Sequence, residues 1–365
     1  MSESRLPRLP KSPALGEAAK LIPSKEWYLN RPFFQILRRH PEIMQLWSAQ
    51  ECCVSTPFTL VMAQVAAKFK DPGLRWTLFD VVAGELGDKY GRPRELLPRF
   101  TVAQMIEALT AFDEGHPIPK PPLPDGSRDH STAHALLSDE LRQALGVPAT
   151  WVVPLPETRR YLDSMWHLLD ENVTAIETLA WFGEAQEAAI EHEYSALADA
   201  GAEALHHPNA FAFFNGNIAE DFGHRAKFRR ASSALIMAHE TPELRRLAGD
   251  VYVAASRQAH IDRAVTYYDS LAQSAERWLA DPELLNVLGR NQPELVAQYL
   301  RWVDPESPAV VDQVLELAKG ELERLVALWA DDEPAYRYQY GSRPTEPGFN
   351  ELRLPVPTLD GRSFD

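Results

Sequence analysis

The residues FFNGNIAEDFGHRAKF, positions 213–228, pose the question on which everything else in the chain bears. Asn217, Asp221 and His224 stand four and three residues apart, a spacing that puts all three side chains on one face of an α-helix. A carboxylate and an imidazole on one face are half of a metal site. An Asn amide is a weak ligand for a transition metal. The same residues also suit the solvated face of an ordinary amphipathic helix, because an isolated Asp-x-x-His is common. The choice depends on what the other helices carry.

Helical periodicity surrounds this stretch on both sides. FTLVMAQVAAKF (58–69) and LRWTLFDVVAGELG (74–87) repeat apolar residues at three and four, and the second ends in a Gly suited to a helix C-terminus. STAHALLSDELRQALG (131–146) has Ser131 or Thr132 to cap it and Gly146 to stop it. Long helices are expected over 158–171, 173–204, 209–238 and 242–279. DPELLNVLG, QPELVAQYLRWV and PAVVDQVLELAKGELERLVALWA add further helices over 281–332. HPIPKPPLPDGS (116–127) reads as a stiff extended loop, the center of a Pro-rich insertion near 115–128. Residues 1–30 read as a loose N-terminal arm and 333–365 as an extended tail. No strand alternation and no internal repeat stands out. The fold class is all-α, a bundle of about ten helices.

Composition narrows the function classes. The chain has 365 residues, of which 45 % are hydrophobic, enough for a large core. A formal net charge of −15 argues against nucleic acid or an anionic membrane as partner, because phosphate needs a basic surface. No apolar run is long enough for a membrane span, and MSESRLPRLPKSP lacks the apolar core of a secretory signal. The only cysteines, Cys52 and Cys53, are adjacent and give no disulfide framework, so a cytoplasmic setting is expected. Phosphate-binding, hydrolase-elbow, zincin and CxxC motifs are absent. Nothing pairs Cys52 with a base, so it reads as a core residue rather than a nucleophile.

Three helices carry a carboxylate where apolar residues prevail. Glu51 lies in MQLWSAQECCVSTPF, Glu85 in FDVVAGELG and Glu184 in LAWFGEAQEAA. A charge in such a setting is costly unless it is paired or bound to a cation. Each alone reads as a partly exposed surface Glu. Together with an Asp-x-x-His helix they give the recipe of a carboxylate-bridged dinuclear iron or manganese site. The best additional imidazole is His134, which opens HALLSDELRQALG, with His130 close behind. His192, His206, His207 and His260 have no comparable setting. The aromatic stretches RYLDSMWHLL and VTYYDSLAQSAERW read as core stripes, a few members of which line a substrate pocket.

At this point the chain resembles the heme-oxygenase-like diiron oxidases and oxygenases, whose fold is shared with thiaminase-like and pyrroloquinoline-quinone-synthase-like proteins. That family's pattern is a Glu on the first core helix and a Glu in an E-L-G context on the next. Then come a His opening an H-x-x-L-L helix, a further Glu, and an F-F/Y…H-x-x-x-D-x-x-H helix. Here Glu51, Glu85, His134, Glu184, Asp221 and His224 take those places, and Asn217 stands where the last helix should supply a His. GDKYGRPRELLPRF, which follows Glu85, holds no His, so the match to His134 spans the Pro-rich insertion. The resemblance covers residues 31–280. It implies a heme-oxygenase-like bundle with additional C-terminal helices, two Fe(II) per chain, and O2 as co-substrate. It further implies an external electron donor and a small amino acid, amine or carboxylic acid as substrate, which undergoes N-oxygenation, desaturation or oxidative C–C cleavage. Glu51, Glu85, Glu184 and Asp221 would be carboxylate ligands, His134 and His224 imidazole ligands, and Asn217 a weak ligand or hydrogen-bond partner.

Two other readings stay open: a metal-free relative that binds a small organic molecule in the same cavity, and a helical interaction protein with solvated acidic residues. The C-terminal helices leave open a dimer interface or a lid.

Overall fold

In the computed structural model the described residues are 12–69, 78, 81–82, 85, 134–205, 208–303, 356–357 and 363–364. The Pro-rich insertion, His130 and most of the tail lie outside them. All the long elements are helical. The sole strand pairing among the described residues joins Val356–Pro357 to Ser363–Phe364, antiparallel. No described helix is long and apolar enough to cross a membrane.

Local chemistry sets the helix ends. The region expected to be a loose arm is helical from Pro13. Helix α1, Pro13–Ala19, and α2, Lys25–Leu29, are capped by the side chains of Ser12 and Ser24. Ala18 and Tyr28 are fully buried, and the Ser12 amide donates to Ser233 Oγ at 3.0 Å, so apolar anchors and a cap hold the arm to the body. α3, Pro32–Arg39, leads into α4, Ile43–Lys68, which contains Glu51. α5, His134–Ala144, stops at Gly146, whose φ of 69° is the left-handed conformation that glycine adopts without steric cost. α6, Pro156–His167, begins with Pro in the first turn. α7, Ala175–Ala180, opens with a full capping box between Thr174 and Glu177.

The two longest rods expected after it are each interrupted. The 173–204 rod runs as α7, a π-helical segment Trp181–Glu187, and α8, Ile190–Ala200. α9, Pro208–Met237, is continuous and carries His224. The 242–279 rod runs as α10, Pro242–His260, a second π segment Ile261–Tyr267, and α11, Tyr268–Ala280. α12, Leu284–Asn291, and α13, Pro293–Trp302, complete the described body. α12 lies so close to the turn at 149–151 that a Cβ on Gly289 would meet the Thr150 carbonyl oxygen at 1.9 Å.

Packing brings the future site together. α5 lies against both α4 and α9, and α9 also packs on α7, α8 and the first π segment. At that last crossing Gly183 lets the backbones approach, since a Cβ there would stand 2.6 Å from the Cβ of Phe228. Trp47 of α4 stacks on Phe214 and meets Tyr194 and Phe213 edge-on, which locks α4, α8 and α9 into one core.

Two outcomes follow from this packing. Gly183→Ala should cost about 1–3 kcal/mol by overpacking, seen in urea as a lower midpoint with an unchanged slope. His260 is buried, neither ring nitrogen has a hydrogen-bond partner among the described residues, and desolvation pushes it down to about 4. The unfolded chain therefore takes up a proton below the ordinary histidine value while the folded chain does not. Stability should be fully present above pH 6.5 and should fall between there and pH 4. His260→Phe should flatten that part of the pH–stability curve.

Candidate metal centre

Four side chains from four helical segments converge. Leu78, Val81, Val82 and Glu85 follow helical spacing and are all buried, so the apolar stripe carries the Glu85 carboxylate inward with it. His134 begins α5, whose Leu137 and Leu141 are in the core. Glu187 closes the first π segment, and His224 sits on the long α9. Each of the four is only 4 % exposed, so bulk water does not supply their partners.

The distances define a compact donor set. His134 Nδ1 lies 2.9 Å from Glu85 Oε2. His224 Nδ1 lies 3.2 Å from Glu187 Oε2 and 3.6 Å from Glu85 Oε1. One ligand atom each from Glu85, Glu187 and His224 lies within 4.8 Å of the others, and this group could hold a metal ion. Two buried carboxylates need a counter-charge, from protons on the imidazoles or from a cation. Carboxylate and imidazole together suit iron, manganese or zinc better than magnesium or calcium.

Among the other expected ligands, Glu184, Glu51 and Asn217 have partners elsewhere. Glu184 is turned to Arg229, which donates from Nε and Nη2 at 2.9 and 2.8 Å, and to Tyr252, whose hydroxyl donates at 2.9 Å. Glu187, three residues on, faces His224 instead. In a regular α-helix the two would share a face. The wider π turn between them separates their directions. Glu51 accepts from the Tyr194 hydroxyl at 3.0 Å, with Arg263 Nη2 at 3.8 Å. Burial pushes its carboxyl up, and Arg263 opposes that shift. Asn217 is buried and donates from Nδ2 to the Phe213 carbonyl at 2.7 Å. Asp221 lies on α9, with its side chain outside the described residues. Cys52 is buried, and desolvation pushes its thiol up to about 12, which leaves no thiolate for nucleophilic work.

Three polar residues escaped the sequence reading. Glu187 was hidden because GEAQE offers two carboxylates on one α-helical face. Glu193 and Arg263 form a buried pair, with Arg263 Nη2 at 2.7 Å and Nε at 3.1 Å from the carboxylate oxygens. Their partnership joins residues far apart in the chain, which no local spacing announces.

The pairing of Glu184 gives a direct test. Arg229→Ala would leave a carboxylate at zero exposure with Tyr252 as its remaining hydrogen-bond partner among the described residues. The loss should be on the order of 3 kcal/mol, reduced somewhat because Arg229 is 24 % exposed. Chemical denaturation should show it, and Glu184→Gln in the same background should restore part. No protein-family profile, no curated protein and no solved structure matches the chain, so a functional reading rests on the geometry of these side chains.

Proposed function

We propose that the chain is a non-heme iron enzyme that uses O2 to oxidize a small amino acid, amine or carboxylic acid, with Glu85, Glu187, His134 and His224 as the iron-holding residues. The single observation that carries this is the buried meeting of Glu85, Glu187 and His224, with ligand atoms within 4.8 Å. Two imidazoles with carboxylates are the donor set of non-heme Fe(II) oxygenases. The order of the residues along the chain, the E-L-G context of Glu85 and the H-A-L-L start of the His134 helix support the same reading.

Bound there, iron would supply the one-electron steps that let O2 react. The chain's own residues would hold and shield it. Glu85 lies near both imidazoles, so it orients His134 and His224 together. The surrounding core, with Phe182 of the first π segment stacked on Phe228, would keep bulk water from the site. The four described donors suffice for one iron. A second Fe(II) would call on Asp221, and Asn217 would be its weak neighbor.

Anaerobic titration of the apo-protein with Fe(II) tests this. Wild type should bind at least one Fe(II) per chain. Glu187→Gln and His224→Ala should each weaken binding by roughly 10- to 100-fold or more, while circular dichroism stays helical. Glu184→Gln should leave the curve in place, which separates Glu187 from its neighbor. Asn217→His should strengthen any second, weaker phase. Absence of Fe(II) binding in wild type would end the proposal.

A further inference from the structure

The two aromatic stretches noted in the sequence, RYLDSMWHLL and VTYYDSLAQSAERW, meet in the interior. Tyr161 of α6 lies 5.4 Å, centroid to centroid, from Tyr267 at the end of the second π segment. Tyr267 lies 5.2 Å from Tyr268, and Tyr268 6.1 Å from Tyr28. Tyr28 lies 5.3 Å from Trp27, which is half-buried at the molecular surface. At the inner end the Tyr161 hydroxyl accepts a hydrogen bond from Gln186 Nε2, and Gln186 is joined by one peptide bond to Glu187. An unbroken file of five rings thus links the surface to the residue beside the candidate metal centre.

We propose that this file conducts single electrons between Trp27 at the surface and the metal group held by Glu187. The proposal rests on the metal reading above for its inner terminus. Packing alone does not explain the composition. Ring contacts at these distances are ordinary in cores, yet every member here is Tyr or Trp, the rings that give up an electron most readily. Phe33 and Phe34 touch Tyr268 at 5.4 and 5.0 Å but stand beside the file, not in it. The hydroxyls of Tyr28 and Tyr267 are buried, the first beside the Glu193 carboxylate and the second beside Thr158. Burying a hydroxyl without ideal hydrogen bonds costs free energy that Phe would avoid.

The charges select where an electron vacancy rests. The Arg263 guanidinium lies over Tyr161 at 5.0 Å and Tyr267 at 5.7 Å, and its positive charge raises the cost of oxidizing either. Tyr268 has a proton acceptor, since its hydroxyl donates to Glu193 Oε1 at 2.7 Å. Oxidation of Tyr268 sends one electron inward through Tyr267 and Tyr161 to the oxidized metal group. The phenol O–H breaks, its proton passes to Glu193, and a neutral phenoxyl remains. A soluble one-electron donor of the ascorbate or thiol class then returns an electron through Trp27 and Tyr28, and Glu193 returns the proton. The net change is one electron moved from donor to metal group, with no bond made or broken in the protein.

The experiment uses the full chain with 3-aminotyrosine at position 268, a hole trap whose electron paramagnetic resonance differs from that of tyrosine. One arm loads Fe(II), adds O2 and freezes the sample. The other omits iron and generates a bulky ruthenium(III) polypyridyl oxidant photochemically outside the protein. Both arms should give the trap radical. Tyr161→Phe should cut it severalfold in the iron arm only, and Trp27→Phe severalfold in the ruthenium arm only. Tyr252→Phe, outside the file, should change neither. If iron binds and O2 is consumed but Tyr161→Phe leaves the trap signal unchanged, the conduit is wrong and the metal reading survives. If no iron binds, the metal reading fails. The ruthenium arm then judges the file alone, and a signal insensitive to Trp27→Phe overturns it.

Discussion

Burial of carboxylates is the constraint around which this protein is arranged. A negative charge in the core is tolerable only with a partner supplied at close range. The helices are set so that several of these carboxylates meet one. Glu184 has Arg229, Glu193 has Arg263, and Asp139 has Arg142 at 2.7 Å with the Tyr299 hydroxyl at 2.5 Å. Glu85 meets imidazoles from two different helices. An imidazole can share its carboxylate with a metal ion, whereas a guanidinium excludes one by like charge. That difference in partner separates the candidate centre from the structural pairs around it.

Two π-helical interruptions make these pairings geometrically available. The first turns Glu187 toward His224 while Glu184 goes to Arg229. The second presents Arg263 to Glu193 and places Tyr267 against Tyr161. A π turn leaves the backbone hydrogen bonding less regular than an α-helix does, and it persists where the surrounding contacts repay the distortion. Here the repayment is the matching of buried charges.

The C-terminal helices belong to the same body as far as Val303. Tyr299 of α13 reaches Asp139 of α5, and Tyr299 and Val303 pack with Cys52, Leu136 and Val152 in a small second core. Trp151 meets Trp278 edge-on and donates from its indole nitrogen to Asn286 at 2.6 Å. These helices therefore brace the helix that opens with His134.

Much of this was legible from residue order. Helical periodicity, Gly146 as a stop and the inward course of Glu85, His134 and His224 all follow from spacing, because a 3.6-residue period fixes which side chains share a face. The choice of Glu187 over Glu184 lay beyond spacing, because an α-helical reading puts both on one face and a π turn is stabilized by contacts from other helices. The diversion of Glu51 to Tyr194 and Arg263 lay beyond it too, since those partners are 143 and 212 positions away. Local sequence dictates the direction of a side chain on its own helix. Which charge waits at the end of that direction is settled by how the helices pack.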